Sequence, residues 1–190
     1  GIDLDTDYSQ MGPKSQKHRK IISDDKDFDP SLLLTIEAKE IFLWGANYYS
    51  KRLPEGGSWS IWDKYPLDQN DKRWGCAFEV VWSKNKHKQS ICRLGSLNIG
   101  HHKREDIVHP TQKPINVVEW FFERWGKETK SVLDLFGGSG STLIACEKTN
   151  RKCFMMELDP HYCDVIVSRY VKYSGHSKNK LNGKDLNWTI

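Results

Sequence analysis

The amino-acid sequence predicts an α/β protein with a parallel sheet, on three observations. The last third alternates strand, helix, strand, helix, the order in which crossover helices join parallel strands. Three glycines, Gly137, Gly138 and Gly140, stand between the first of those strands and its helix. The first half adds short apolar runs closed by turn residues, as buried strands do.

Taken in order, a short strand is expected around residues 2–4, followed by a basic loop that ends at Asp24, Asp25 and Asp27. Asp29-Pro30 marks a helix start, with Asp as the cap and Pro in the first turn, leading into residues 31–39. Residues 40–44 form an apolar run closed by Gly45, and residues 59–62 and 78–82 are read as strands in the same way. Between them, residues 54–57 and 68–71 are turn-rich. Val117, Val118, Phe121, Phe122 and Trp125 recur at helical spacing and stop at Gly126, so one apolar helix face is expected. The last third then reads as strand 131–136, helix 141–149, strand 153–158 and helix 160–173. Residues 1–173 are expected as a single domain with a short insertion over 83–108, and residues 174–190 as a polar C-terminal tail.

The chain has 190 residues and a formal net charge of +4. Its hydrophobic share of 37%, with 14 glycines, excludes wholesale disorder and a collagen-like fibre. No apolar run approaches the roughly 18 residues a spanning helix needs, and no leader precedes Gly1, so a soluble, cytoplasmic protein is expected. The five cysteines are odd in number and form no CxxC pair, which argues against a disulfide framework and a zinc site; no metal is expected.

The charge is unevenly placed. Lys14, Lys17, Arg19 and Lys20 occupy residues 9–22 without an acid, as do Lys84, Lys86, Lys88, Arg93, Lys103 and Arg104 in residues 83–104. The rest of the chain is net acidic. Two basic segments on an acidic body suit a polyanion partner, against the plainer reading of two solvated loops. His18, His87, His101 and His102 fall in the same windows and can add charge at mildly acidic pH.

The glycine turn is the clearest chemical feature. Without side chains, the backbone there can approach a ligand closely beside the amide N–H groups of a helix start. Glu157 follows Asp134 by 23 residues, near the spacing at which an acid reaches the ribose hydroxyls of a nucleotide. A phosphate-binding P-loop would need Gly-Lys-Ser/Thr, but Ser141 follows Gly140; a dinucleotide fingerprint would want a small residue where Leu143 stands. Asp134, placed ahead of the glycines, suits a cationic or amine-bearing ligand better than a pyrophosphate. A tight turn with no ligand is the competing reading.

Three motifs, DLFGGSGST at 134–142, MELDPHY at 156–162 and HPTQKP at 109–114, together resemble the amino-group DNA methyltransferases that use S-adenosylmethionine. Their order resembles the permuted beta subgroup, in which the catalytic region comes first. The resemblance covers about residues 42–173. It implies a doubly wound, mostly parallel sheet of the class I S-adenosylmethionine-dependent methyltransferase type. It also implies that Asp134, Phe136, Gly137, Gly138, Ser139 and Gly140 line the cofactor, that Ser141 and Thr142 begin the helix behind it, and that Glu157 holds the ribose. His109, Thr111, Gln112 and Lys113 would close the pocket from the other side. Trp44 to Asn47 would be a strand end near the active site.

The family's catalytic motif is Asp-Pro-Pro-Tyr, and here Asp7 and Tyr8 stand adjacent with neither proline between them. A second alignment pairs Asp5 with Tyr8. The implied function is methyl transfer to the 6-amino group of adenine in double-stranded DNA, with the target base flipped out, by a site that the missing prolines leave incomplete. Transfer to the 4-amino group of cytosine, action on RNA, or a non-catalytic DNA-binding protein that keeps the cofactor pocket are the alternatives. Lys14, Lys17 and Arg19 would flank the flipped base, and Lys84, Lys86, Lys88 and Arg93 lie where this subgroup places target recognition. That region is short, which suits a small target site, a homodimer or loose specificity.

Overall fold

The computed structural model describes residues 21–23, 25–65, 76–95 and 107–188. The chain divides into two compact units, Gly1–Ile99 and Gly100–Ile190; their boundary falls inside the 83–108 segment expected as an insertion in a single domain.

The first unit holds helix α1 (Ser31–Leu34), strand β1 (Phe42–Trp44), a 3₁₀ helix (Ala46–Arg52) and strands β2 (Ser58–Asp63), β3 (Phe78–Ser83) and β4 (Ser90–Cys92). Asp29 Oδ1 accepts the Ser31 N–H at 2.9 Å, as its capping role requires. The helix nevertheless lasts one turn, not the nine residues expected. The hydroxyl of the β-branched Thr35 donates to the Leu32 carbonyl at 2.7 Å, a local bond that competes with helix continuation. β1 stops at Gly45, whose φ of 65° is left-handed.

The four strands form one sheet in the order β1-β3-β2-β4. β3 pairs antiparallel with both β1 and β2, and β4 runs parallel to β2. Leu43, Ala46 and Trp82 are the buried centre, covered by Leu33, Leu34, Ile41, Tyr49, Leu53 and Trp59. A glycine is required at 57: a Cβ there would stand 2.4 Å from the Ser83 carbonyl oxygen.

The second unit holds helix α2 (Ile115–Trp125), strand β5 (Ser131–Asp134), helix α3 (Ser141–Lys148), strand β6 (Lys152–Met155), helix α4 (Pro160–Ser174) and strands β7 (Lys178–Leu181) and β8 (Lys184–Asn187). β5 and β6 pair in parallel, Leu133 opposite Phe154 and Asp134 opposite Met155, so β5-α3-β6-α4 is the expected crossover arrangement. Val117, Phe121, Ile144, Ala145, Cys146, Tyr162, Ile166 and Val171 are its buried apolar side chains among the described residues. The chain is therefore α/β, with a mixed sheet in one unit and, in the other, a parallel pair and an antiparallel pair.

Two differences have local causes. β5 and β6 end at 134 and 155 rather than 136 and 158, because side-chain carboxylates capture the next amides: Asp134 takes that of Phe136, and Glu157 those of Leu158 and Asp159. Residues 178–187, expected within a polar tail, form the antiparallel hairpin β7–β8. Asn182 and Gly183 carry φ of 51° and 80°, the two left-handed residues of a tight hairpin turn. Among the described residues no helix is long and apolar enough to cross a membrane.

Candidate functional site

The glycine turn is held by carboxylates at both ends. Asp134 Oδ1 accepts the Phe136 N–H at 2.9 Å, which bends the chain out of β5. Gly137 N–H donates to the Met156 carbonyl at 2.8 Å and Gly140 N–H to the Gly137 carbonyl at 2.8 Å. Glu157 Oε2 accepts the Gly138 N–H at 2.6 Å, and Oε1 accepts Leu158 N–H at 2.8 Å and Asp159 N–H at 2.9 Å. One side chain thus joins the turn after β5 to the turn after β6.

The glycines serve different ends. A Cβ on Gly137 would lie 2.8 Å from Met155 Sδ and 2.9 Å from Ile166 Cδ1, so this residue is small because the unit's interior crosses it. Gly138 and Gly140 have left-handed φ of 53° and 78°. A Cβ on Gly138 would sit 3.6 Å from the His109 ring, where the 109–114 loop meets the turn.

That loop is internally tied. His109 is buried, and its Nδ1 accepts the Thr111 N–H at 3.2 Å. The neutral ring then carries its proton on Nε2. Its ring centroid lies 4.3 Å from that of Tyr162 on α4. Gln112 Oε1 accepts the Val108 N–H at 3.1 Å. The Ser141 hydroxyl donates to the Lys113 carbonyl at 2.7 Å, so the first residue of α3 anchors the loop. Ser139 is buried, with its hydroxyl 3.3 Å from that of Ser141. Thr142 is half-buried in the first turn of α3.

The surroundings are acidic and apolar. The Cys163 thiol is raised first by burial and then by the carboxylates of Glu157, Asp164 and Asp159. Phe136, Met156 and Leu158 are 64%, 63% and 69% exposed around Glu157, leaving an apolar rim beside an acceptor-rich turn. Carboxylates with no lysine in the turn can receive an ammonium, a hydroxyl or an amine, and repel a phosphate.

Sequence reasoning overlooked two residues here. Arg169 Nη1, 30 residues further along the chain on α4, donates to the Ser139 carbonyl, and Asp159 caps α4 by accepting His161 N–H at 2.9 Å. The Asp159-Pro160 pair is a readable helix-start signal; the Arg169 bond has no local signature.

In the first unit, Lys84, Lys86, Lys88 and Arg93 are exposed. Their loop is pinned by His87: its Nε2 meets Glu40 Oε2, its N–H donates to Ser58 Oγ, and its carbonyl accepts the Ser58 hydroxyl at 3.1 Å. Lys84 Nζ also donates to the Ala38 carbonyl at 3.4 Å. Trp44 ends β1 and accepts the Tyr49 hydroxyl on its carbonyl at 2.8 Å. The catalytic candidates Asp7 and Tyr8, and the basic Lys14, Lys17 and Arg19, lie outside the described residues.

A parallel strand-turn-helix with glycines and facing acids defines a ligand-binding α/β unit. The profile of the DNA methylase family matches residues 14–168, and the chain belongs to that family. Among relatives, the Type II methyltransferase M.HindIII of Haemophilus influenzae is 30% identical over 95 residues, covering 47% of this chain and 31% of that protein. The Type II methyltransferase M.BglII of Bacillus subtilis is 32% identical over 68 residues, covering 36% of this chain and 19% of that protein. The chain spans between 19% and 36% of the length of the curated relatives it matches. Among solved structures, the M1.HpyAVI–SAM complex aligns with a TM-score of 0.45 at 21% identity, covering 66% of this chain and 67% of that one. The PvuII DNA methyltransferase (cytosine-N4-specific) aligns with a TM-score of 0.44 at 19% identity, covering 60% of this chain and 50% of that one.

Proposed function

We propose that this chain transfers a methyl group from S-adenosylmethionine to the 6-amino group of adenine in double-stranded DNA, as a permuted, beta-subgroup member of its family. The observation that carries the cofactor assignment is the carboxylate-flanked glycine turn, Asp134 at one end and Glu157 clamped onto Gly138 at the other. The donor set fits: carboxylates match an α-amino group and ribose hydroxyls, and the exposed Phe136, Met156 and Leu158 match a purine face.

Bound there, S-adenosylmethionine supplies an electrophilic methyl on a positively charged sulfur. Asp134 and Glu157 hold the ligand's cationic and hydroxyl groups, with Glu157 pre-oriented by its three backbone donors. His109, in contact with the turn, closes the pocket on the loop side and excludes water. Asp7 accepts a hydrogen bond from the base's amino N–H and aims the nitrogen's lone pair, which ring delocalisation otherwise makes a poor nucleophile. Tyr8 stacks on the flipped base. Lys14, Lys17, Arg19, Lys84, Lys86, Lys88 and Arg93 neutralise phosphates.

Adenine is preferred over cytosine because Asp heads the motif, where the cytosine enzymes more often carry Ser. One departure supports a second reading. Asp7 and Tyr8 lack the intervening Pro-Pro, and two extended residues shift a side chain by roughly 6–7 Å. A chain that binds DNA and cofactor but turns over slowly, or not at all, follows from that. Equilibrium dialysis against S-adenosylmethionine, ATP and NAD tests the cofactor: selective retention of the first is expected, and retention of either other nucleotide overturns it. Digesting methylated duplex DNA to nucleosides then reads N6-methyladenine against N4-methylcytosine.

A further inference from the structure

The β7–β8 hairpin, which none of the motifs above includes, carries a second kind of chemistry. Lys178, Lys180 and Lys184 stand on it against one acid, Asp185. All three ammonium groups belong to exposed residues. The pairing places Lys178 opposite Asn187 and Lys180 opposite Asp185, so both lysines share one face of the ribbon. The other face carries Asn179 and Leu186, both half-buried, and nearer the turn the exposed pair Leu181 and Lys184. Trp188 fastens that side to α4: its Nε1 donates to Ser168 Oγ at 3.0 Å and its backbone N–H to the Ser177 carbonyl at 2.9 Å. The lysine face therefore points to solvent from an anchored ribbon with a tight turn.

At the base of the hairpin lies a shallow cleft of about 480 Å³ lined by Tyr170, Gly175, His176, Ser177, Lys178 and Asn179. Its side chains offer an ammonium, an imidazole, a hydroxyl, an amide and a phenol, and no carboxylate lines it. Beside it, Glu147 accepts the Tyr170 hydroxyl at 3.1 Å. On the ribbon itself Lys180 Nζ is 3.9 Å from Asp185 Oδ1, a loose pair between largely exposed side chains that competes little for the ammonium. A donor-rich cleft continuous with a lysine-bearing ribbon suits a run of phosphodiesters.

We infer that the β7–β8 hairpin is a DNA-backbone contact, in which Lys178 and Lys180, side by side on its solvent face, neutralise phosphates of the duplex on which the site acts. This rests on the proposed function. It adds a third basic surface to the two expected from the sequence, and it carries no base recognition, since flexible ammonium groups position without reading sequence.

The test is the salt dependence of duplex-DNA binding by the full chain, with K178A/K180A compared with the unaltered protein by fluorescence anisotropy. The hairpin contact predicts that log K against log[salt] flattens by roughly 2 units, at about 0.9 per phosphate lost, with affinity for S-adenosylmethionine unchanged. Asp185→Asn removes the ribbon's acid and is expected to tighten DNA binding, a gain that misfolding cannot imitate. An unchanged slope in the double variant overturns the hairpin contact alone. A slope that flattens on structured RNA but not on duplex DNA overturns the assignment to DNA. If the unaltered chain shows no salt-dependent binding to DNA, the proposed function fails, and the hairpin proposal with it.

Discussion

Glu157 accepts the backbone N–H of Gly138 at 2.6 Å, joining two turns that are 19 residues apart in sequence. The same carboxylate accepts two more amides, from Leu158 and Asp159. It is therefore the brace that shapes the glycine turn, and in the proposed function it is also the acid that meets the cofactor. Charge-assisted bonds of this kind are the stronger class of hydrogen bond.

Glu157→Ala is accordingly expected to weaken two properties together. Leaving the half-buried Gly138 N–H without its acceptor costs about 1–3 kcal/mol of stability, read as a lower midpoint in chemical denaturation. Affinity for S-adenosylmethionine should fall at least tenfold by calorimetry. Glu157→Gln should lose affinity too, because the amide nitrogen presents a donor where a second acceptor is needed. Stability loss with unchanged affinity would leave Glu157 as a brace only.

The glycines separate packing from ligand approach. Gly140→Ala combines a left-handed φ of 78° with a Cβ 3.1 Å from Ile166 Cγ2, and the left-handed conformation alone costs roughly 1–2 kcal/mol. Gly138→Ala meets only ordinary contacts, 3.6 Å from His109. The first variant should lose more stability. The second should lose more cofactor affinity relative to its stability loss. Equal ratios in the two variants would remove the distinction.

This division was only half legible in the sequence. Gly137-Gly-Ser-Gly140 at a strand-to-helix junction, the stop of β1 at Gly45 and the apolar stripe of α2 follow from local pattern, and the structure has them within two or three residues. What escaped was set by side chains acting at a distance or by weak patterning. Glu157 reaching Gly138 and Arg169 reaching Ser139 depend on tertiary placement. β4 is three residues inside a lysine-rich window. The hairpin did announce itself, through Asn182-Gly183, but its strands, Lys-Asn-Lys-Leu and Lys-Asp-Leu-Asn, lack the apolar alternation that normally accompanies that turn.

The basic loop of the first unit should respond to charge and to its anchor differently. Lys84, Lys86 and Lys88 changed together to Ala should flatten the salt dependence of DNA binding by roughly 2–3 units. His87→Ala keeps all three charges and the backbone bonds to Ser58 but releases the side-chain tie to Glu40, so affinity should fall with little change in slope. An unchanged slope in the lysine variant would remove this loop from the interface.

Alkaline pH should destabilise the first unit in a defined window. Burial pushes the Cys92 thiol from 9.0 up to about 11 and the Tyr49 phenol from 10.0 up to about 12. Both are raised in the folded state, so their contribution is complete below the unfolded values and is lost as pH climbs through the window between 9.0 and about 12. Denaturation midpoints should fall across that range and lie flat, for these two groups, below it. Tyr49→Phe should remove the upper part of the fall, while Cys92 should resist iodoacetamide at pH 8 under conditions that label the exposed Cys76. Rapid labelling of Cys92 in the native protein would contradict its burial.

The central claim is methyl transfer to a base amino group, and the direct measurement is label passed from methyl-tritiated S-adenosylmethionine to mixed-sequence duplex DNA. The comparison is between the chain as it stands and a form with Pro-Pro inserted between Asp7 and Tyr8. Both should bind the cofactor, and the inserted form should label DNA at N6-methyladenine at least about a hundredfold faster, the scale on which ångström misplacement acts. Cofactor bound by both forms with no label in DNA from either would contradict the claim and leave a DNA-binding protein that keeps its pocket.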